Sequence, residues 1–291
     1  MTSAKGGGAP DAAKRLVVPA PAKLNLFLHV TGRRADGYHL LESLMVPIDL
    51  ADTIELSLRD DAAIVRGADI DGVPEPLDLT LRAAHALRDA CRVDAGVAIR
   101  VTKRIPHGAG LGGGSSDAAS VLLALNRLWS LDLPRRKLVE IGAALGADVP
   151  FFLGDGPALA RGIGERLTSM SMPTAWIALA MPALHVSTAS IFASRELTRS
   201  TPSVKMNVFS EGYGRNDLEV AAIVRHPQVG EVVAALSRAS AHARMTGSGG
   251  CVFAPFETER EAREALESLP GATPRVVART LVRHPLASFA R

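Results

Sequence analysis

Apolar and polar residues alternate along several short stretches of the chain, and a period of two predicts β-strands. The clearest stretch is Lys23–Val30, in which every second residue from Leu24 onward is apolar. This alternation places Lys23 and Asn25 on the same face of the strand. Further strands are predicted at 53–58, 96–105, 176–182 and 275–282, and as two strands around a glycine turn within 243–256.

Apolar residues at spacings of three and four predict helices between these strands. The longest predicted helix, Ser116–Trp129, follows directly on the strand that ends at Ile105 and a short glycine-rich loop. Other helices are predicted at 79–91, 134–145, 189–197, 217–225, 228–240 and 257–268. Strands and helices mix without strict alternation or a fixed repeat, which indicates an α+β fold with two lobes joined near residues 165–175.

The composition narrows the classes of protein to consider. Hydrophobic residues make up 47% of the 291 residues and charged residues 22%, as in globular domains. The net charge of +3 comes from scattered lysines and arginines, so we expect no nucleic-acid partner. The isolated Cys91 and Cys251 predict reduced core thiols, not a disulfide framework. Without a signal sequence or a membrane-length apolar run, we expect a cytoplasmic protein with a disordered tail at residues 1–14.

The stretch IPHGAGLGGGSSDAAS, Ile105–Ser120, places five glycines in seven positions just before a predicted helix. Exposed backbone N–H groups at a helix start bind anions, so the pattern indicates a phosphate site. A P-loop is excluded because no Gly-Lys-Ser/Thr ends the run. The spacing matches a dinucleotide-binding fingerprint, but no acidic strand end follows at 129–140. A ligand-free glycine turn remains an alternative, and Ser115 and Ser116 are equally suited to capping the helix.

Four segments occur in an order that resembles the GHMP kinase superfamily. They are PAKLNLFLHVTGRRADGYH, PHGAGLGGGSSDAA, LGADVPFFL and MTGSGGCVFA, and together they run from Pro21 to Ala254. The resemblance implies a GHMP kinase fold with a ribosomal-protein-S5-like N-terminal lobe at 15–168 and a ferredoxin-like C-terminal lobe at 169–291. It further implies ATP-dependent phosphorylation of the 2-hydroxyl of a small-molecule substrate, a methylerythritol linked to cytidine diphosphate, for isoprenoid precursor synthesis by the non-mevalonate route.

The resemblance also assigns roles to individual residues. Asp148 would be the general base and Lys23 the cation that neutralises developing charge. By their patterns alone, Asp148 equally fits a turn residue, and Lys23 is more typical of a solvated edge lysine. The ATP-binding residues implied are Lys103, Pro106, His107, Gly108, Ala109, Gly110, Leu111, Gly112, Gly113, Gly114, Ser115 and Ser116. The substrate-binding residues implied are Asn25, Tyr38, His39, Thr188, Phe192, Gly247 and Ser248.

Several of these assignments have structural alternatives. Phe192 is equally a core residue, Tyr38 an aromatic beside a turn, and Thr188 a helix cap. Asp78 stands where related enzymes tend to have asparagine, and a carboxylate cannot donate a hydrogen bond, so we do not expect Asp78 to contact adenine as an amide would. The segment Asn216–Glu219 is interpreted as a helix start.

Mg²⁺ is expected to accompany ATP, but the sequence names no metal ligand. The alternatives to a kinase for the cytidine-linked substrate are a homoserine or mevalonate type of GHMP kinase, an NAD-binding oxidoreductase and a non-catalytic nucleotide-binding module. The segment ADGYH and the strand with Lys23 and Asn25 favour the cytidine-linked substrate. We expect no membrane partner, and the oligomeric state is not determined by the sequence.

Overall fold

The fold is described from a computed structural model, for residues 14–184, 186–203, 214–269, 271 and 273–291. The predicted disordered tail at residues 1–14 lies outside the described residues except for Lys14. The described residues form two sheets, each covered by helices, and the two lobes share a third apolar cluster between them.

The N-terminal sheet is built around a long antiparallel hairpin of two strands. Bulges interrupt their pairing near Lys23 and Asn25, so the strand curves and buries residues on both faces. Its strands are β1 (Arg15–Arg33), β2 (His39–Arg59), β3 (Ile64–Arg66), β4 (Gly96–Thr102), β5 (Ala158–Gly162) and β6 (Arg166–Ser169). The sheet has the order β3-β4-β2-β5-β6, with β1 paired to β2.

Four helices pack on this sheet: α1 (Leu79–Cys91), α2 (Gly113–Leu128), α3 (Arg135–Ala143) and α4 (Val149–Leu153). The bounds of α1 agree with the prediction. Helix α2 begins three residues before the predicted start at Ser116, because its first turn forms within the glycines themselves. The region 129–140 leads into α3, as the sequence predicts, and not into the second strand that a dinucleotide-binding fold requires.

The C-terminal lobe contains a four-stranded antiparallel sheet of β7 (Trp176–Ala180), β8 (Arg244–Met245), β9 (Val252–Phe256) and β10 (Arg275–Arg279). The strands have the order β10-β7-β9-β8. The helices of this lobe are α5 (Thr188–Phe192), α6 (Glu219–Arg225), α7 (Pro227–Leu236) and α8 (Glu259–Glu267). Helix α5 ends five residues earlier than predicted. The carbonyls of Phe192 and Ser194 accept hydrogen bonds from the Arg199 guanidinium instead of from further helical amides.

The two lobes are joined by a shared apolar core and by backbone contacts. Leu24 and Ile48 from the N-terminal sheet pack in one buried cluster with Leu179 and Phe253 from the C-terminal sheet. The amide of Leu281 donates to the carbonyl of Pro47 at 2.8 Å. The contact joins the middle of the β1–β2 hairpin, where Pro47 pairs with Lys23, to the second lobe. The predicted division of the chain into lobes at residues 168 and 169 stays a prediction.

The last residues of the chain return to the N-terminal lobe. Leu286 and Ala290 belong to its core cluster, and Arg135 donates hydrogen bonds to the carbonyls of Leu153, Ala287 and Ala290. The guanidinium offers five donors in a fixed fork, so a single side chain holds three chain segments together.

His284 lies close in sequence to the C-terminal residues that Arg135 holds, and its environment predicts that the protein loses stability in acid. Its Nδ1 accepts from the amide of Leu286, while its buried Nε2 has no hydrogen-bond partner among the described residues. Burial, reinforced by the charge of Arg135, lowers the pKa of His284 to about 4. Folding therefore favours the neutral ring, and the stabilisation is complete above the unfolded pKa of about 6.5 and is lost as the pH falls towards 4.

We expect His284 to account for about 3 kcal/mol of the loss in unfolding free energy between about pH 6.5 and 4. Asparagine at this position retains an acceptor for the Leu286 amide but does not titrate. Urea unfolding of wild type and His284→Asn from pH 4 to 7.5 measures the difference. Parallel pH profiles for the two proteins would contradict this assignment.

Candidate active site

The glycine loop between β4 and α2 adopts a backbone that side chains disfavour. Gly110 has φ of +76° and Gly112 has φ of +72°, both in the left-handed region. A Cβ at Gly110 would lie 2.6 Å from the carbonyl oxygen of Thr246, and a Cβ at Gly112 would lie 3.0 Å from the Phe152 ring. Part of the glycine requirement is thus structural, since the loop packs backbone to backbone against the second glycine segment, Thr246–Gly250.

The loop opens into two adjoining clefts of about 220 and 250 Å³. The smaller cleft is lined by the loop itself, from Ile105 to Ser115, together with Leu79 and Lys103. The larger is lined mainly by apolar residues before and within the start of α1, among them Ile70, Val73 and Leu77. A backbone-lined cleft at the positive end of a helix suits phosphates, and the apolar cleft beside it suits a purine ring.

The predicted ATP-binding residues from Pro106 to Ser115 all line the smaller cleft, and Lys103 lines both clefts. Ser116 does not line either one. It is fully buried, and its hydroxyl has no hydrogen-bond partner among the described residues. Its contact with ATP stays a prediction.

Lys103 is held by two carboxylates. Its Nζ lies 2.5 Å from Asp52 and 2.7 Å from Asp117, both buried, and the other oxygen of Asp52 accepts from the amides of Arg104 and Ile105. Burial, partly offset by Lys103, raises the pKa of Asp117 to about 7, while the two carboxylates outweigh burial and raise the pKa of Lys103. The cluster ties the start of the glycine loop to the first turns of α2.

Asp78 makes hydrogen bonds with two neighbouring side chains and a backbone amide. One oxygen caps α1 by accepting from the amide and the hydroxyl of Thr80 at 2.8 and 2.6 Å. The other pairs with Arg66 at 2.9 Å. Both oxygens are therefore occupied, although the residue lines the larger cleft.

Lys23 and Asp148 meet beside the glycine loop. The Lys23 Nζ lies 2.5 Å from Asn25 Oδ1 and 3.8 Å from Asp148 Oδ2, and the Lys23 amide donates to the carbonyl of Leu111 at 3.0 Å. The lysine side chain is 5% exposed and the aspartate side chain 41%. Although Asp148 precedes α4, its side chain makes no capping hydrogen bond. An open carboxylate beside a buried ammonium is thus positioned next to the loop.

Asn25 connects this pair to the second glycine segment. Its backbone N–H donates to Thr246 Oγ1 at 2.8 Å, and its side-chain Nδ2 donates to Ser43 Oγ at 2.7 Å. The Asn216 side chain donates to the carbonyls of Met245 and Gly247 at 2.9 and 2.8 Å. Asn216, interpreted from the sequence as part of a helix start, accepts from the Leu218 amide there and also supports this glycine segment.

The remaining predicted substrate residues form two contacts, one between the lobes and one within the C-terminal lobe. The rings of His39 and Phe192 stack with centroids 5.0 Å apart, and the adjacent Tyr38 is 62% exposed. Thr188 Oγ1 and Ser248 Oγ lie 2.6 Å apart, so α5 meets the second glycine segment. The cap of α5 is Ser187, one residue before Thr188.

Sequence reasoning did not single out Asp52, Asp117 and Arg199, and it interpreted Asn216 only as part of a helix start. Asp52 lies far from the loop in sequence and reaches it only because β2 pairs with β4. Asp117 directly follows the serines at the start of α2, so its position in the motif was the one available signal. Arg199 follows α5 in a segment without periodicity, and nothing in that pattern indicates that it contacts His39.

Comparisons with known proteins agree on one family. The model of the GHMP kinases N terminal domain matches residues 78–156, and that of the GHMP kinases C terminal domain matches residues 200–274. The 4-diphosphocytidyl-2-C-methyl-D-erythritol kinase of Thiobacillus denitrificans is 55% identical over 93% of this chain and 97% of its own. The protein of that name from Cupriavidus metallidurans is 49% identical over 94% and 95%. The chain belongs to the 4-diphosphocytidyl-2-C-methyl-D-erythritol kinase family.

Solved structures support the same assignment. The crystal structure of a 4-(cytidine 5'-diphospho)-2C-methyl-D-erythritol kinase superposes with a TM-score of 0.81 at 34% identity, covering 91% of this chain and 99% of that one. A homoserine kinase from Cytophaga hutchinsonii has a TM-score of 0.71 at 16% identity, over 96% of this chain and 98% of its own, and shares the fold alone. The predicted α+β GHMP kinase fold is thus confirmed.

Membership of this kinase family makes the chain an ATP-dependent phosphotransferase that acts on a small-molecule alcohol, as the sequence predicts. An NAD-binding oxidoreductase and a non-catalytic module are not supported. Among the helices of the described residues, none has the length and apolar character required to span a membrane.

Proposed function

We propose that the chain transfers the γ-phosphate of ATP to the 2-hydroxyl of 4-diphosphocytidyl-2-C-methyl-D-erythritol, a step of the non-mevalonate route to isoprenoid precursors. The observation that carries this proposal is the Lys23–Asp148 pair, open to solvent on the carboxylate side and tied through Leu111 to the glycine loop. The names of the relatives supply the substrate, and the spacing of the predicted substrate residues supports it.

ATP fits the two adjoining clefts. The triphosphate would lie on the backbone amides of the glycine loop at the N-terminus of α2, where the helix dipole favours negative charge. The base would enter the apolar cleft between Leu77, Leu79 and Val73. Lys103 lies where the two clefts join, with its ammonium held by Asp52 and Asp117.

Phosphoryl transfer depends mainly on alignment and charge neutralisation. Asp148 would accept a hydrogen bond from the substrate hydroxyl, orient its oxygen roughly 3–3.5 Å from the γ-phosphorus, and take the proton as the bond forms. Lys23 would neutralise charge on the transferred group, and its contact with Asn25 holds the ammonium in place.

The arrangement of the predicted substrate residues favours a long substrate. Strand β2 begins at His39, and its partner residue for Asn25 is Met45. From His39 to Met45 the strand covers roughly 20 Å at about 3.4 Å per residue. A molecule that reaches from the His39–Phe192 contact to Asp148 must have such a length, as a cytidine diphosphate ester has and mevalonate or homoserine has not.

Mg²⁺ would neutralise and orient the triphosphate when bound. The described residues contain no group of three His, Cys, Asp or Glu side chains placed to hold a metal ion. We therefore propose that the ion is held mainly by the phosphates and by water, as is common for this metal.

The test is a comparison of acceptors at fixed ATP, with product identified by phosphorus NMR. We expect phosphorylation of 4-diphosphocytidyl-2-C-methyl-D-erythritol, with kcat/KM at least roughly 10³-fold above that for mevalonate or homoserine, because a truncated acceptor loses the base contacts that align it. Equal turnover of mevalonate or homoserine would replace the proposed substrate.

A further inference from the structure

We propose that Arg199 is a positioning residue that fixes the His39 ring in its Nδ1–H tautomer, so that the ring selects cytosine over uracil in the substrate. The inference rests on the proposed function, because it takes the substrate base to bind beside His39 and Phe192.

A hydrogen bond links the side chains of Arg199 and His39. Arg199 Nε lies 3.2 Å from His39 Nε2. A guanidinium carries donors only, so Nε2 must be the acceptor and cannot hold a proton. The proton of the neutral ring then resides on Nδ1. The partner of one ring nitrogen thus decides what the other nitrogen offers to a ligand.

Arg199 is itself held in place by backbone carbonyls. Its guanidinium also donates to the carbonyls of Leu197, Phe192 and Ser194 at 3.1, 3.1 and 2.6 Å. Phe192 in turn stacks on the His39 ring. One side chain therefore fixes both Phe192, at the end of α5, and the protonation pattern of the His39 ring on which Phe192 stacks.

The His39 ring stays neutral, and its Nδ1–H stays available to a ligand. Burial lowers the pKa of His39, and the positive charges of Arg199 and Arg33 lower it further. These two arginines are the charged groups that act on the ring. None of the described residues accepts a hydrogen bond from Nδ1. The ring therefore offers one N–H donor at neutral pH.

Cytosine and uracil differ at the ring nitrogen N3. Cytosine has an unprotonated N3 that accepts a hydrogen bond, whereas uracil carries a proton on N3. An Nδ1–H donor pairs with the first and opposes the second. Stacking on Phe192 cannot make this distinction, because every base has a π-face. A mispaired polar group at one position corresponds to a discrimination of roughly tenfold or more.

The direct test is nitrogen-15 NMR of the histidine rings in the wild-type protein, with His39 assigned by the loss of its signals in His39→Gln. We expect a protonated Nδ1 and an unprotonated Nε2 near pH 7. In Arg199→Met we expect protonation of Nε2 to appear and the pKa of His39 to rise, because a positive charge is removed. Arg195→Met is the matched control, since Arg195 lies exposed in the same segment, and it should leave the His39 signals unchanged.

The functional test compares kcat/KM for 4-diphosphocytidyl-2-C-methyl-D-erythritol and its uridine analogue. Arg199→Met should narrow the preference for cytidine roughly tenfold, mainly through KM, while Arg195→Met should not. A wild-type ring protonated on Nε2 would overturn the proposal even if Arg199→Met failed to fold. An unchanged base preference in a folded Arg199→Met protein would also overturn it.

These outcomes are distinct from a failure of the proposed function. If the wild-type protein does not phosphorylate the cytidine compound, the substrate is wrong, and so is the selective role of Arg199. The NMR result would then still measure whether Arg199 fixes the tautomer.

Discussion

Replacing Asp148 with asparagine is expected to lower kcat by roughly 10²–10⁴ and to leave the KM for ATP nearly unchanged. Asparagine has almost the same shape, but it carries no negative charge and cannot take the proton of the substrate hydroxyl. The Asp148 side chain makes no capping hydrogen bond and faces Lys23 at 3.8 Å, so its loss should leave the fold intact. Steady-state kinetics with both substrates varied measures the two effects separately.

Asp89→Asn is a suitable control for this experiment. Asp89 is an exposed carboxylate on α1 of the same lobe, and the same chemical change there should leave kcat unaltered. Lys23→Met tests the other member of the pair and should lower kcat with a smaller effect on ATP binding, because its charge is felt most strongly in the transition state. Near-normal kcat in a folded Asp148→Asn protein would reduce this residue to a turn position.

Replacing Gly114 with valine is expected to raise the KM for ATP roughly tenfold or more while the protein stays folded. Gly114 lies in the first turn of α2 and lines both clefts. A Cβ at this position would meet only Leu79 Cδ1 at 3.6 Å, an ordinary contact. Valine is also a better helix residue than glycine, so stability should not fall. The branched side chain would instead occupy space that the phosphates require.

Two further variants separate ligand binding from folding. Gly114→Ala adds a single methyl group and should give a smaller increase in KM. Gly112→Ala should instead reduce the unfolding free energy by about 1–2 kcal/mol, because φ there is +72° and the left-handed region disfavours a Cβ. Unchanged ATP affinity of folded Gly114→Val, measured by calorimetry, would contradict the proposed position of the phosphates.

The elements with a regular period were predictable from the sequence alone. The bounds of α1 agree because an apolar stripe coincides with a capping aspartate at its start. The strand with Lys23 and Asn25 was predicted from its alternation, and their side chains do meet, since residues two apart share a face. The helix at 189–197 was predicted too long, because local periodicity carries no information on the Arg199 side chain, which donates hydrogen bonds to the carbonyls of Phe192 and Ser194.

Part of the site was also predictable, through motifs in which neighbouring residues act together. The glycine loop and the start of α2 form a continuous segment, and the family resemblance added Asp148 and Lys23 to it. The cluster of Lys103 with Asp52 and Asp117 was missed. Asp52 lies within β2, Lys103 directly follows β4 and Asp117 lies in α2, and their association depends on the pairing of β2 with β4.

The sequence by itself determined the period of each element, the glycine backbone of the loop and the family to which the chain belongs. These are local properties, or properties of residue order, and they need no knowledge of what packs against what. Only the tertiary structure decided that Gly110 lies against Thr246, that Asn25 bonds the same threonine, and that Arg199 reaches His39. Each of these contacts joins the two lobes, and its geometry depends on the apolar core that the lobes share.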